Sequence, residues 1–424
     1  MTVAEYAKIN PVIEAMSKSA TLKTNERCAE LKAEGKKIYN LGLGQSPFPV
    51  PEEIAFALRH NAHKKSYLPC RGLSDLRDRV ADFYKYEHDL GVDANQVLIG
   101  TGSKVLLFML QMVLNANVIL SSPCWVSYAP QAKLFGRNIK VIHTAYSNGW
   151  KITAEELDDA CVGGRLNLLI LNSPSNPTSQ MHSPDEIREL AKVAKRNDLL
   201  VVSDEIYSRL NYGEEHDSLY RYYPEGTIIS SGLSKWCGAG GWRLGTFVFP
   251  KELRRVQDAM VKLTSESMSS TCSPVQHAAT TAFSVGVGKQ YLKNANKVLS
   301  SIAEFGAAAF SAAGIKTLQP QGGFYFFVNF EKFADKLAGY GVTTSEGLCE
   351  KLLMDAGVAL LPGSDCMRQP GELSARLAFV NFDGEAALRY ADDIQGPLNS
   401  EFTQRFCPAT HEAIEAICDW TEKL

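Results

Sequence analysis

No apolar run in this 424-residue sequence is long enough to cross a bilayer: the most apolar stretch, VLLFMLQMVL at 105–114, covers about half of the ~20 residues a span needs and carries Gln111. It reads as a buried helix. No block of one charge stands out either. The 44 Lys and Arg against 47 Asp and Glu leave a formal charge of −3, and no basic or low-complexity arm is present, so neither nucleic acid nor membrane is an expected partner. The ten cysteines contain no CxxC pair and no matching histidine spacing, which argues for reduced thiols and against a metal site. The opening MTVAEYAKINPVIEAMSKSA lacks both a basic segment followed by an apolar one and an Arg-rich amphipathic pattern, so a cytoplasmic location is expected.

What is present is an alternation of short apolar runs with longer amphipathic ones, the pattern of strands and crossover helices in a mostly parallel α/β sheet. Strands are predicted at 97–100, 118–121, 167–171, 199–203, 227–230 and 245–249. Helices are predicted at 103–114 and 183–196, the second opened by Ser183 and Pro184 with Glu186 three residues after the serine, a capping box. After Pro250 the pattern changes to a long helical stretch reaching about Ala313, then to short strands around 323–329 and 376–381, and a closing amphipathic helix within 397–424. The expected division is an N-terminal segment 1–50 that joins a smaller α+β domain and supplies a substrate loop, a large domain 51–312, and the smaller domain 313–424.

Three segments carry chemistry. In SGLSKWCGAGGWRLG, Lys235 follows Ser234 in a Gly-rich turn with Arg243 eight positions on, which suits an imine-forming amine beside a bound phosphate. LNSPSNPT contains Asn172, Asn176 and Pro177. LLVVSDEIY places Asp204 at the end of an apolar run, where ligands of open α/β sheets bind, and Tyr207 three residues on; a helix-capping aspartate would look the same in isolation. Together these segments resemble the class I/II pyridoxal-phosphate-dependent aminotransferases of the aspartate-aminotransferase fold (fold type I), in motif style the bacterial aspartate/prephenate/aromatic subgroup. The resemblance spans about residues 35–395, with its motifs in the family's order.

The resemblance implies a large domain with a mostly parallel seven-stranded sheet, pyridoxal 5'-phosphate as cofactor and Lys235 as its amine. Asp204 would pair with the ring nitrogen, and Tyr207 and Asn176 would donate to the phenolic oxygen. Gly102, Ser103 and Lys104 in IGTGSKVLLF match the family's phosphate turn, with Arg243 as a forked donor. Relatives often carry a hydroxyl three residues before the lysine. Gly232 stands there here, so Ser231 or Ser234 would supply that contact. Trp125 in SSPCWVSY matches the aromatic stacked on the ring, Arg376 in ARLAFVNFDG the clamp on the substrate α-carboxylate, and Gly44 in GLGQSPFPVP the substrate loop, where Gln45 and Ser46 depart from the usual residues. Tyr67 in YLPCRGLSDLR corresponds to a tyrosine reaching the neighbouring subunit's phosphate, and the segment with Ser270 and Gln276 to one near a dimer boundary, so a homodimer with shared sites is implied. Cis peptides are implied at Ser122–Pro123 and Asn176–Pro177.

The implied activity is ping-pong transfer of an amino group between an L-amino acid and a 2-oxo acid. A lyase, decarboxylase or oxidase on the same fold is the alternative. Lys104 aligns with a lysine that meets the distal carboxylate of dicarboxylic substrates in one bacterial subgroup, although a lysine in a first helical turn can equally face solvent. Aromatic substrates stay open through Phe48, Tyr128 and Phe324.

Overall fold

The structure, a computed structural model, describes residues 8–16, 18–161, 163, 165–213 and 216–424. The start of the N-terminal segment, residues 1–7, lies outside the described residues. In chain order the strands are β1 (Tyr39–Asn40), β2 (Val97–Gly100), β3 (Asn117–Ser122), β4 (Ile139–His143), β5 (Asn167–Asn172) and β6 (Leu200–Asp204). They continue as β7 (Thr227–Gly232), β8 (Gly245–Val248), β9 (Tyr325–Asn329), β10 (Val358–Ala359), β11 (Leu361–Pro362) and β12 (Ser374–Ala378). β2 to β8 form a seven-stranded sheet in the order β2-β8-β7-β6-β5-β3-β4, in which only β8 runs antiparallel to its neighbours. This is the mostly parallel sheet of fold type I.

The strands form where they do because both faces of the sheet are covered by helices. VLIG in β2 and LVVSD in β6 are buried at every position, which selects continuous apolar runs over alternation. The crossover helix Pro184–Arg196 opens on the expected capping box, with Ser183 Oγ accepting from the Glu186 amide and the Glu186 carboxylate from the Ser183 amide. The apolar run at 105–114 lies within the helix Ser103–Val113, with Leu106, Leu107 and Leu110 buried. A second, antiparallel sheet, β11-β12-β9, is built from the C-terminal third. β1 pairs in parallel with β10, so residues before Pro51 join that third of the chain.

Several expectations are corrected. β4 was not anticipated: IKVIH is an edge strand with exposed Lys140 and His143, so it lacks the apolar run that marks its neighbours. The long helical stretch after Pro250 is three helices, Arg254–Ser267, Ser273–Ala282 and Lys289–Ala313, broken where Ser269, Gly286 and Gly288 take positive φ. The closing helix is two, Ser400–Phe406 and Pro408–Glu422, split at Cys407 just before a proline. Ser122–Pro123 and Asn176–Pro177 are cis as expected, and Ser173–Pro174 is a third cis bond. Among the described residues, no helix is long and apolar enough to cross a membrane, and no cluster of potential metal ligands forms.

Candidate active site

The parallel strands end at one edge of the large sheet, and a cavity of about 400 Å³ opens there. Asn172 closes β5, Asp204 closes β6, and Lys235 sits in the turn after β7, so three adjacent strands deliver three functional groups to one place. The Lys235 ammonium donates to the Gly44 carbonyl at 2.7 Å and lies 5.5 Å from the Tyr207 ring centre and 5.6 Å from that of Phe324. Burial brings its pKa down to about 8, helped by Arg376 and Arg243 and opposed by Asp204. A far larger share of this amine than of an ordinary lysine is therefore neutral near physiological pH, the form in which it is a nucleophile or a base.

Asp204 is 3% exposed. Its carboxylate accepts from Tyr128 Oη at 2.6 Å and Ser230 Oγ at 3.2 Å, yet burial outweighs these bonds and raises its pKa to about 6. Asn172 fixes the surroundings: its Nδ2 donates to the Asp204 carbonyl at 2.8 Å while its Oδ1 accepts from the Asn176 amide at 2.7 Å. The strand end is thus tied to the loop that brings Asn176 in.

At one end of the cavity the turn after β2 enters the helix Ser103–Val113 through Gly102, whose φ of +86° suits glycine. Two close approaches shape this turn. A Cβ on Gly245 would lie 2.2 Å from the Ser103 amide nitrogen, and one on Gly102 would lie 2.4 Å from Arg243 Nη2. Glycine at both places lets β8 and Arg243 close against the free N–H groups of the helix start, a receptor for an anion. Lys104 faces the cavity, its ammonium 5.4 Å from the Trp125 ring centre, and burial followed by the charge of Arg243 lowers its pKa. Trp125 in turn packs edge-on against Tyr128 at 5.2 Å.

At the other end stands Arg376, on β12 and 2% exposed. Nη1 donates to Asn176 Oδ1 at 3.1 Å and Nη2 to the Gly42 carbonyl at 2.6 Å. Lys104, Lys235, Arg243 and Arg376 all line this cavity, and among the described residues none of them forms an ion pair, so that Asp204 is the one carboxylate facing four cations. Such a balance favours ligands with several negative charges.

The structure therefore gathers Gly44, Ser103, Lys104, Trp125, Asn176, Asp204, Tyr207, Ser234, Lys235, Arg243 and Arg376 around one cavity, with Gly102 directly behind. Ser231 is not brought in. Along β7, Ser230 points to Asp204, so Ser231 points to the opposite face, towards Tyr84. Of the two serines, Ser234 lines the cavity. Tyr67 is 90% exposed and stands apart from this chain's cavity. Gln276 is buried within the chain, accepting from the Leu73 amide at 2.8 Å. Phe48 faces the core against Tyr291 and Phe382 rather than the cavity, whereas Tyr128 and Phe324 adjoin Asp204 and Lys235.

Tyr325 is among the cavity residues that escaped the sequence reading. Tyr325, 1% exposed at the start of β9, accepts from Asn176 Nδ2 at 3.3 Å, shares a 2.8 Å bond with Tyr207 Oη, and lies under the Arg376 guanidinium at 4.9 Å. Its only signal in the sequence was its place in the aromatic run GGFYFF.

Known proteins resemble this chain in sequence and in fold. The family described as aminotransferase class I and II matches residues 36–382. The aspartate aminotransferase of Bacillus sp. (strain YM-2) is 33% identical over 363 residues, covering 83% of this chain and 90% of that protein. The aspartate/prephenate aminotransferase of Thermus thermophilus is 30% identical over 359 residues, with 83% and 90% covered. The solved aspartate aminotransferase from Thermus thermophilus with maleate superposes with a TM-score of 0.81 at 28% identity, covering 91% of this chain and 98% of that one.

Proposed function

The chain belongs to the class I and II aminotransferases, and from that premise we propose which groups in its cavity carry out the transfer of an amino group between an L-amino acid and a 2-oxo acid. The observation that supports the assignment is the gathering of Lys104, Arg243, Arg376 and a partly neutral Lys235 around one buried carboxylate, Asp204. Pyridoxal 5'-phosphate suits this donor set: Gly102, Ser103, Ser234 and Arg243 would hold its phosphate, and Trp125 and Asp204 would hold its ring. When bound, it supplies an electron sink for the negative charge that develops on substrate Cα. Asp204, ionised with a cation beside it, would hold the proton of the ring nitrogen. Tyr207 and Asn176 would donate to the phenolic oxygen. Arg376 binds the substrate α-carboxylate, using a guanidinium that Asn176 and the Gly42 carbonyl already aim. Lys235 Nζ would hold the cofactor as its amine and, when free, would be the base that takes the proton from substrate Cα.

Lys104 favours a second carboxylate on the substrate, so aspartate and glutamate are the proposed donors, with aromatic amino acids accommodated beside Tyr128 and Phe324. The working unit is a two-fold homodimer in which Tyr67, exposed on its own chain, reaches the phosphate of the facing cavity. Residues 51–312 form the cofactor-binding body and 313–424, with the segment before 51, the smaller one. The ten unpaired cysteines accord with a cytoplasmic enzyme. The test is Lys235→Ala reconstituted with pyridoxal phosphate and offered a panel of amino acids: it retains cofactor noncovalently, loses the visible band of lysine-bound cofactor, and loses nearly all release of 2-oxo acid. Wild-type turnover in this variant removes Lys235 from the role.

A further inference from the structure

Two groups assigned to the phenolic oxygen, Asn176 and Tyr207, also meet each other through a third residue. Tyr325 Oη bonds both, and its ring lies under Arg376. The directions of these bonds can be worked out. A guanidinium only donates, so Arg376 Nη1 gives its proton to Asn176 Oδ1, which fixes the amide and makes Nδ2 the donor to Tyr325. Each phenol has one proton. If Tyr207 spends its proton on an anionic oxygen in the cavity, the bond it shares with Tyr325 must be filled by the proton of Tyr325. Every group is then satisfied, and the chain Arg376, Asn176, Tyr325, Tyr207 donates in one direction towards the anion. Hydrogen bonds arranged head to tail in a dry site strengthen one another.

We propose that Tyr325 is a positioning residue that sets the donor strength of Tyr207 and transmits carboxylate binding at Arg376 to the cofactor's phenolic oxygen. The proposal rests on the cofactor placement given above. The site is built to hold Tyr325 still: its amide donates to Ser179 Oγ at 2.9 Å, and a Cβ on Gly44 would lie 2.1 Å from its hydroxyl, so glycine at 44 is what admits the phenol. The same Gly44 offers its carbonyl to Lys235. One loop residue thus adjoins both the phenol chain and the amine.

The test reads the cofactor's own titration. Donors to the phenolic oxygen favour the form of the bound chromophore that has released its proton, so a weaker Tyr207 raises the chromophore's pKa and a stronger one lowers it. Wild-type protein, Tyr325→Phe, and protein with 3,5-difluorotyrosine incorporated at 325 are reconstituted with pyridoxal phosphate, and visible absorbance is followed against pH with and without maleate as a non-reacting dicarboxylate. Tyr325→Phe raises the midpoint by about half a unit or more, on the scale of one neutral hydrogen bond. Difluorotyrosine, a more acidic phenol of nearly the same shape, lowers it. The maleate-induced shift falls to less than about half its wild-type size in Tyr325→Phe, as expected if this chain carries the coupling. Equal maleate shifts in wild type and Tyr325→Phe, or midpoints that move in the same direction in both altered proteins, overturn the proposal. The fluorinated protein keeps the aromatic packing and so decides the sign even if the Phe variant folds poorly. Failure of the wild type to take up pyridoxal phosphate overturns the cofactor reading itself, a separate and visible outcome.

Discussion

Replacing Lys104 by methionine removes one positive charge from the cavity while keeping an unbranched stem against Trp125. In the structure the ammonium is 5.4 Å from the Trp125 ring centre, forms no ion pair among the described residues, and is held below its ordinary pKa by burial and by Arg243. A substrate carboxylate reaching it would form a charge-assisted contact in a partly dry site, about 1.5–3 kcal/mol, or roughly ten- to hundredfold in kcat/KM. Loss of the cation–aromatic contact, ~0.5–1 kcal/mol, affects every substrate alike and cancels in a ratio. The measurement is therefore kcat/KM for aspartate, glutamate, phenylalanine and alanine in both proteins, read as the acidic-to-neutral ratio. A fall of tenfold or more is expected. An unchanged ratio refutes the assignment; if cofactor affinity drops at the same time, Lys104 serves the phosphate instead.

Gly245→Ala places a methyl 2.2 Å from the Ser103 amide nitrogen and 2.5 Å from the Gly102 carbonyl carbon, where only backbone can give way; an overpacking cost of ~1–3 kcal/mol should lower the melting temperature and weaken pyridoxal phosphate binding, read by fluorescence titration, and full affinity would show that the turn is not the phosphate receptor. Because Lys235 titrates near 8, capture of pyridoxal phosphate by the cofactor-free protein should accelerate as pH rises from 6 and level off above about 8, and Arg376→Met, which removes a charge that lowers this pKa, should move the plateau to higher pH in stopped-flow absorbance. Mixing Lys235→Ala with Tyr67→Ala should restore turnover above that of either variant, since one cavity in each mixed dimer then has both native residues; strictly additive activities would place Tyr67 outside the facing site.

The legible parts of the sequence were those whose signal is local. β2, β5 and β6 are short buried runs, and the last two end on a polar residue, Asn172 and Asp204. The capping box at Ser183 was readable for the same reason. β4 was not, because an edge strand need not be apolar and Lys140 interrupts it. Arg376 could be placed only through its motif, since nothing in ARLAF alone distinguishes a buried guanidinium from an exposed one. Ser231 and Ser234 were indistinguishable until strand alternation turned the first away from the cavity. Tyr325 was invisible for a different reason: its partners Asn176 and Tyr207 lie 149 and 118 positions away, and a hydrogen-bond chain across that separation leaves no trace in either segment.

The pairing of β1 with β10 bears on the order in which the enzyme can be made. Gly42 and Gly44 follow β1 directly, yet the groups their carbonyls hold, Arg376 and Lys235, are 334 and 191 positions later. At ribosomal speed the wait between Gly42 and Arg376 is roughly 20 to 70 seconds. Once Val248 has emerged the large sheet can assemble, while the first strand waits for β10 and the substrate loop has Lys235 but not Arg376 to close upon. A nascent chain released before residue 376 would hold Lys235, Asp204 and the phosphate turn without the arginine that recognises substrate, so the seven-stranded body is complete well before the protein can choose what it acts on.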